Sequence, residues 1–410
     1  MRIALLHPDS PTAEGSGAIH SATLIGESLQ SLGHEVVFYC PGKVDEDYSK
    51  INTRELNVEP SLAKNKYSKI NEQILKLENE LASFDIFHSY LMRTIPSVGK
   101  ISTNQPVNTV VTLNAYGGLC PKNDLLYKNK KNCDSNGALR CTNCVYNSMR
   151  ELPPKSGRGA TYREGRILHH TIKNMKNYPI VFEADKYKKD INAFQALSSH
   201  VSETYSNFGY PDKNIKVIPN ILDEQFQIAH ESEFSDPIQL LYVGDLKKHK
   251  GVDRLPTMIR ELNKRGDRKF ELSIVGKGPL KQYLIRDTYD NNISDLVTFQ
   301  GFISYEDLPT VYANHDLFVY PGRWQEPFGR VFLESLAAGT PIVSNDVGSV
   351  SKIIGDGGEV KHGIDKMIEY IMSLSTNQLQ KYSEQCVSEA NKFNKSVIVD
   401  KIDNLYRNIY

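Results

Sequence analysis

No stretch of this sequence approaches the roughly 18 uninterrupted apolar residues that a membrane-crossing helix requires, so no transmembrane span is expected. Net charge is missing too: 49 Lys and Arg stand against 49 Asp and Glu, leaving nothing global for a nucleic acid to recognise. No repeat period and no low-complexity tract is visible, which argues against a solenoid or a linker-like chain. The opening Met1-Arg-Ile-Ala-Leu-Leu-His7 is too short for a signal peptide. These absences point to a cytoplasmic protein, at most peripheral to the membrane. Tryptophan occurs once, as Trp324, and cysteine only six times.

What is present is length and an α/β pattern. The 410 residues are enough for two domains, each with a buried core. Ile3–His7 reads as a strand, Glu14-Gly-Ser-Gly17 as a loop, Ala18–Ser31 as a helix and Gly33–Tyr39 as a second strand. Phe84–His88, Val107–Leu113 and Phe194–Leu197 continue the series, and Lys216–Asn220 closes it. From Pro237 the pattern restarts, with strands at Gln239–Val243, Phe270–Val275, Leu296–Phe299, Leu317–Tyr320 and Ile342–Ser344. Two consecutive doubly wound α/β units follow from this, with ligands expected at the carboxyl ends of the strands.

The most informative segment is Glu326-Pro-Phe-Gly-Arg-Val-Phe-Leu-Glu334, continued by Ser335-Leu-Ala-Ala-Gly-Thr-Pro-Ile-Val343. Pro327 and Gly329 suit a turn, and Arg330–Ala338 has helical character, ended near Gly339 and Pro341. Glu326 then precedes the helix and Glu334 lies about two turns in. A helix start offers unpaired N–H groups and a positive dipole end, a seat for phosphate. An amphipathic helix with two solvated glutamates is the plainer alternative.

This run resembles the E-x7-E motif of family-4 retaining glycosyltransferases, enzymes of the GT-B fold. Gly33-His-Glu-Val, Val217-Ile-Pro-Asn220, Gly276-x-Gly-Pro279 and Phe299-x-Gly301 extend the resemblance through both halves. It implies two Rossmann-like domains facing each other across a cleft: an acceptor-side domain at residues 1–222 with a Cys-rich insertion at about 116–150, and a nucleotide-sugar domain at 223–393. A final helix, 394–410, would return to the first domain. The donor would be a nucleotide diphosphate sugar, and the acceptor a glycan, lipid-linked or small hydroxyl compound in cell-surface glycan biosynthesis. No catalytic metal and no enzyme nucleophile are needed, because the departing phosphate helps deprotonate the acceptor.

By the same resemblance Glu334 holds the ribose and Glu326 lies near the transferred sugar. Lys250 and Gly251, in Tyr242-Val-Gly-Asp-Leu-Lys-Lys-His-Lys-Gly251, stand where the family binds the donor diphosphate, together with Phe328, Gly329 and Arg330 of the turn. Gly15 and Gly17 match a glycine-rich loop after the first strand. His88 follows Phe84-Asp-Ile-Phe, a recurrent family context, and Asn114 stands where a second histidine often contacts the sugar. Asp245 departs from the family by replacing an arginine, with Lys247, Lys248 or Arg323 as substitutes for the lost cation. Asp245 and Asn114 keep open a nucleotide-sugar-binding protein without catalysis, and a nucleotide-sugar epimerase of the same fold is a further alternative.

Residues 120–190 carry 15 basic against 7 acidic side chains. The excess of cations reads as a solvated face or as contact with an anionic membrane surface or phosphate-bearing acceptor. Cys120, Cys133, Cys141 and Cys144 fall in the same region with only one C-x2-C knuckle. Four thiolates around a structural Zn are one reading; ordinary thiols, disulfides and an iron–sulfur cluster are the others.

Overall fold

The computed structural model describes residues 1–11, 17–42, 50–58, 65–150, 160–231, 233–234, 236–266 and 268–410. Gly15, in the expected glycine loop, lies outside these residues. The chain divides into two units, Met1–Pro219 with Ile398–Tyr410, and Asn220–Val397.

The first unit is built on seven strands: β1 (Arg2–Leu6), β2 (Glu35–Pro41), β3 (Asn52–Leu56), β4 (Ile86–Ser89), β5 (Asn108–Leu113), β6 (Ala193–Ala196) and β7 (Ile215–Val217). Their order is β3-β2-β1-β4-β5-β6-β7, and every pairing is parallel. β1, β4, β5 and β6 are buried nearly throughout, as strands in the middle of an all-parallel sheet are, and even their polar side chains His88, Thr109, Thr112 and Gln195 are buried. Gly17 opens α1 (Gly17–Ser31), which turns Ile19, Ala22, Ile25 and Leu29 inward. After β5 come a small hairpin, Leu126–Tyr127 with Lys131–Asn132, then α2 (Ala138–Arg150) and α3 (Ala160–Met175).

The second unit repeats the plan with β8 (Ile238–Val243), β9 (Phe270–Val275), β10 (Val297–Gly301), β11 (Leu317–Tyr320), β12 (Ile342–Asn345) and β13 (Gly358–Lys361). The order is β10-β9-β8-β11-β12-β13, again all parallel. Chain order reverses between β8 and β11, the switch point at whose carboxyl ends open α/β sheets ordinarily bind ligands. α4 (Arg330–Ala337) follows β11 directly and is almost wholly buried. α5 (Lys395–Arg407) starts at the edge of this unit, and its greater part is counted with the first.

Candidate donor site

Two loops build the site in the second unit. The loop after β8 carries Lys250, and the loop after β11 carries Trp324, Glu326 and Gly329. Gly251 takes φ 77°, and a Cβ there would stand 1.9 Å from the Pro321 carbonyl oxygen. Only glycine lets the two loops approach this closely. Gly329 also has φ 77° and is the residue before α4, with no side chain capping the helix N-terminus.

Glu326 is buried, 5% exposed, with three donors on one carboxylate oxygen. Lys250 Nζ, Tyr320 Oη and Trp324 Nε1 each donate to Oε2 at 2.7 Å. Burial alone would raise the Glu326 pKa, but Lys250 and these hydrogen bonds outweigh it and hold the carboxyl below its ordinary value. Lys250 Nζ also lies 4.7 Å from the centre of the Trp324 ring. The single tryptophan thus donates to the carboxylate and lends its face to the ammonium. Ser349 clamps the same residue from the other side, its N and Oγ both donating to the Glu326 carbonyl at 2.9 Å.

Glu334 is equally buried but differently served. Tyr312 Oη donates to its Oε2 at 3.2 Å, and Arg330 Nε lies 3.5 Å from Oε1. Burial here exceeds what Arg330 and Tyr312 contribute, so the Glu334 pKa is raised. Arg330 also donates to Tyr305 Oη. Two carboxylates on one loop-helix unit are thereby set apart, Glu326 kept ionised and Glu334 easier to protonate.

Asp245 pairs with Lys247, 2.6 Å from Nζ to Oδ2. Lys247 is therefore spent on the substituted position, and Arg323 grips Asp253, with Nη2 to Oδ2 at 3.0 Å. Both of these substitutes for the lost arginine are thus paired with an acid. Phe328, expected in the donor set, is 2% exposed and packs edge-on against Phe393 at 5.8 Å. Its side chain belongs to the core.

Two further expectations lie in the first unit. His88 is fully buried, with Nδ1 2.6 Å from Tyr406 Oη and Nε2 2.7 Å from Thr112 Oγ1. Burial lowers its pKa to about 3, so it stays neutral. With both nitrogens occupied it ties β4 to α5 and β5, a structural histidine in place of a sugar contact. Asn114, just past β5, keeps its Oδ1 buried without a hydrogen-bond partner among the described residues.

The four clustered cysteines line one recess with Lys122 and Arg140. They do not form the expected zinc centre: among the described residues no three His, Cys, Asp or Glu are arranged to hold a metal ion. Three of the thiols have partners of their own, while Cys141 lies near Cys133 and Cys144. Cys133 Sγ donates to the Ser135 carbonyl at 3.1 Å, Cys144 Sγ accepts from Lys128 N at 3.1 Å, and Cys120 lies 3.9 Å from Asp124. Burial pushes the Cys120 thiol up to about 12, and two cations share the recess, an unfavourable setting for a divalent ion. The residues as placed do not fit zinc.

Tyr312, Tyr320 and Ser349 went unnoticed in the sequence. The only signal for Tyr320 is its place at the carboxyl end of the strand before the glutamate turn; Tyr312 and Ser349 carry none.

Residues 223–393 match the model of the family described as glycosyl transferases group 1. The chain is 30% identical over 190 residues to an uncharacterized glycosyltransferase, MJ1607, of Methanocaldococcus jannaschii, across 40% of this chain and 48% of that protein. It is 36% identical over 118 residues to an alpha-D-kanosaminyltransferase of Streptomyces kanamyceticus, across 29% and 30%. The matches span about half, or less, of these curated relatives. Among solved structures, Anabaena HepE in complex with UDP-glucose superposes with a TM-score of 0.69 at 14% identity, covering all of both chains. The two parallel α/β units are the GT-B fold.

Proposed function

We propose, from the match of residues 223–393 to the group 1 glycosyl transferases, that the chain moves a sugar from a nucleotide diphosphate sugar to a hydroxyl acceptor with retention at the anomeric carbon. The acceptor is a glycan, a lipid-linked or a small molecule, and the setting is cytoplasmic synthesis of a cell-surface glycan. The observation that carries this reading is the Lys250–Glu326 pair, set on the two loops of the β8/β11 switch point beside the glycine-led start of α4.

Lys250 is fixed by a carboxylate and an indole face, so its rotamer is set before ligand arrives. An ammonium has three donors, and the two not used by Glu326 suit phosphate oxygens. A leaving nucleoside diphosphate gains charge as the glycosidic bond breaks, and a fixed cation with backbone N–H groups at Gly329 and Arg330 stabilises that change without a metal. Glu334 accepts the ribose hydroxyls. The orphan Oδ1 of Asn114 supports a sugar-hydroxyl contact, since buried acceptors without partners are uncommon. HepE's complex with UDP-glucose and the kanosaminyl transfer in the relative's name support a nucleotide-sugar donor. Free cysteines at all six positions agree with a reducing compartment.

The Asp245–Lys247 pair favours a second reading, a donor-binding protein without turnover, because it removes cation strength beside the diphosphate. Incubation with UDP-, GDP-, ADP- and TDP-sugars, following release of the nucleoside diphosphate, separates the two. Release lost in Glu326→Ala supports transfer; donor binding without release, with every acceptor class supplied, supports the second reading.

A further inference from the structure

We propose that the outer face of α3 seats the chain on the surface of an anionic bilayer. α3 lies in the first unit, away in sequence from every donor-site residue, so the inference stands independently of the reaction. At 3.6 residues per turn, Thr161, Gly165, Leu168 and Ile172 form one stripe. Tyr162, Arg166, His169 and Lys173 form the stripe beside it, continued by Lys176 just past the helix end. The opposite side turns inward through Ile167 and Thr171. The apolar stripe is open to solvent, with Leu168 56% and Ile172 51% exposed.

Charge selects the occupant. Between residues 160 and 176, Arg163, Arg166, Lys173 and Lys176 face a single acid, Glu164. A protein partner ordinarily asks for a wider apolar core; two large aliphatic side chains beside a basic, tyrosine-bearing stripe suit shallow entry at the headgroup boundary, with cations over anionic lipid. The helix that follows in sequence, Tyr178–Tyr187, also carries an exposed aromatic side chain, Phe182 at 65%. Among the described residues no helix is long and apolar enough to cross a membrane, so the contact is a surface one.

The test is co-sedimentation of the full chain with vesicles of phosphatidylcholine alone or mixed with phosphatidylglycerol, at low salt. Binding to the mixed vesicles is expected, weaker by about tenfold or more on phosphatidylcholine alone. Leu168→Asp with Ile172→Asp should abolish it, and Lys173→Glu with Lys176→Glu should weaken it about tenfold or more, with melting temperature and nucleotide-dependent stabilisation retained in both. No binding to mixed vesicles, equal binding to both kinds, or binding unchanged in the variants overturns the proposal. A self-association of the chain that disappears in Leu168→Asp with Ile172→Asp also overturns it, because a second copy would then own the face.

Discussion

At the residue scale, the account rests on one oxygen atom with three donors. Removing Glu326 leaves Lys250 half-enclosed without a counter-charge and strands the Tyr320 hydroxyl and the Trp324 indole N–H. Glu326→Ala should therefore cost about 3 kcal/mol of stability as well as turnover, whereas Glu326→Gln keeps an acceptor and should cost less; denaturant melts of both variants check the difference. Because Trp324 is the only tryptophan and touches Lys250, nucleotide binding should change its fluorescence. Binding seen by calorimetry without any change in emission would place the ligand elsewhere. Glu326 and Glu334 stand out in the sequence because their spacing sits in one recognisable run, and Lys250 because it precedes glycine in the loop after a strand. Tyr312 was not, since a tyrosine that aims its hydroxyl at a carboxylate looks the same in sequence as one packed in a core. His88 misled for the converse reason: a strand-end histidine gives no hint that Thr112 and Tyr406 will occupy both its nitrogens.

At the element scale, the site depends on two loops that can meet only through glycine. Gly251→Ala puts a methyl group against the Pro321 carbonyl in a left-handed conformation, and should destabilise the chain by roughly 1–3 kcal/mol or more while weakening nucleotide affinity. Gly301→Ala has the same sign of φ with nothing near its Cβ, so it should lose the strain term alone and keep nucleotide affinity. Thermal melts and a nucleotide titration on the pair distinguish loop approach from general strain. The buried strands β8, β9 and β11 were readable from their apolar runs. The edge strand β3, Asn-Thr-Arg-Glu-Leu, was not, because one neighbour and a solvated face leave it with no alternation or apolar run to read. Four cysteines in 25 residues showed a shared recess but not the direction of each thiol, which the local carbonyls decide.

At the scale of the whole molecule, the last helix belongs largely to the first unit through two histidines, His34 with Asp403 at 2.9 Å and His88 with Tyr406 at 2.6 Å. Tyr406→Phe should cost about 1–2 kcal/mol and leave nucleotide affinity unchanged. His88 is neutral when folded, with a pKa of about 3 against about 6.5 unfolded, so below pH 6.5 the unfolded chain takes up a proton that the folded chain refuses. Its stabilisation is complete above pH 6.5 and is lost progressively as pH falls toward 3, at up to about 1.4 kcal/mol per pH unit. His88→Gln should be less stable at pH 7 yet show a shallower decline between pH 6.5 and 5; an unchanged slope in melts across that range would contradict the burial of a neutral ring.

Whether Lys250, Glu326, Gly329 and Glu334 make a nucleotide-sugar site is decided by thermal stabilisation with UDP, GDP, ADP and TDP in wild type and Glu334→Ala. A nucleotide at 100 times its dissociation constant should add about 2.7 kcal/mol to the wild type. One nucleotide should give this gain, and Glu334→Ala should lose it. No gain from any of the four, or an equal gain in the variant, would contradict such a site.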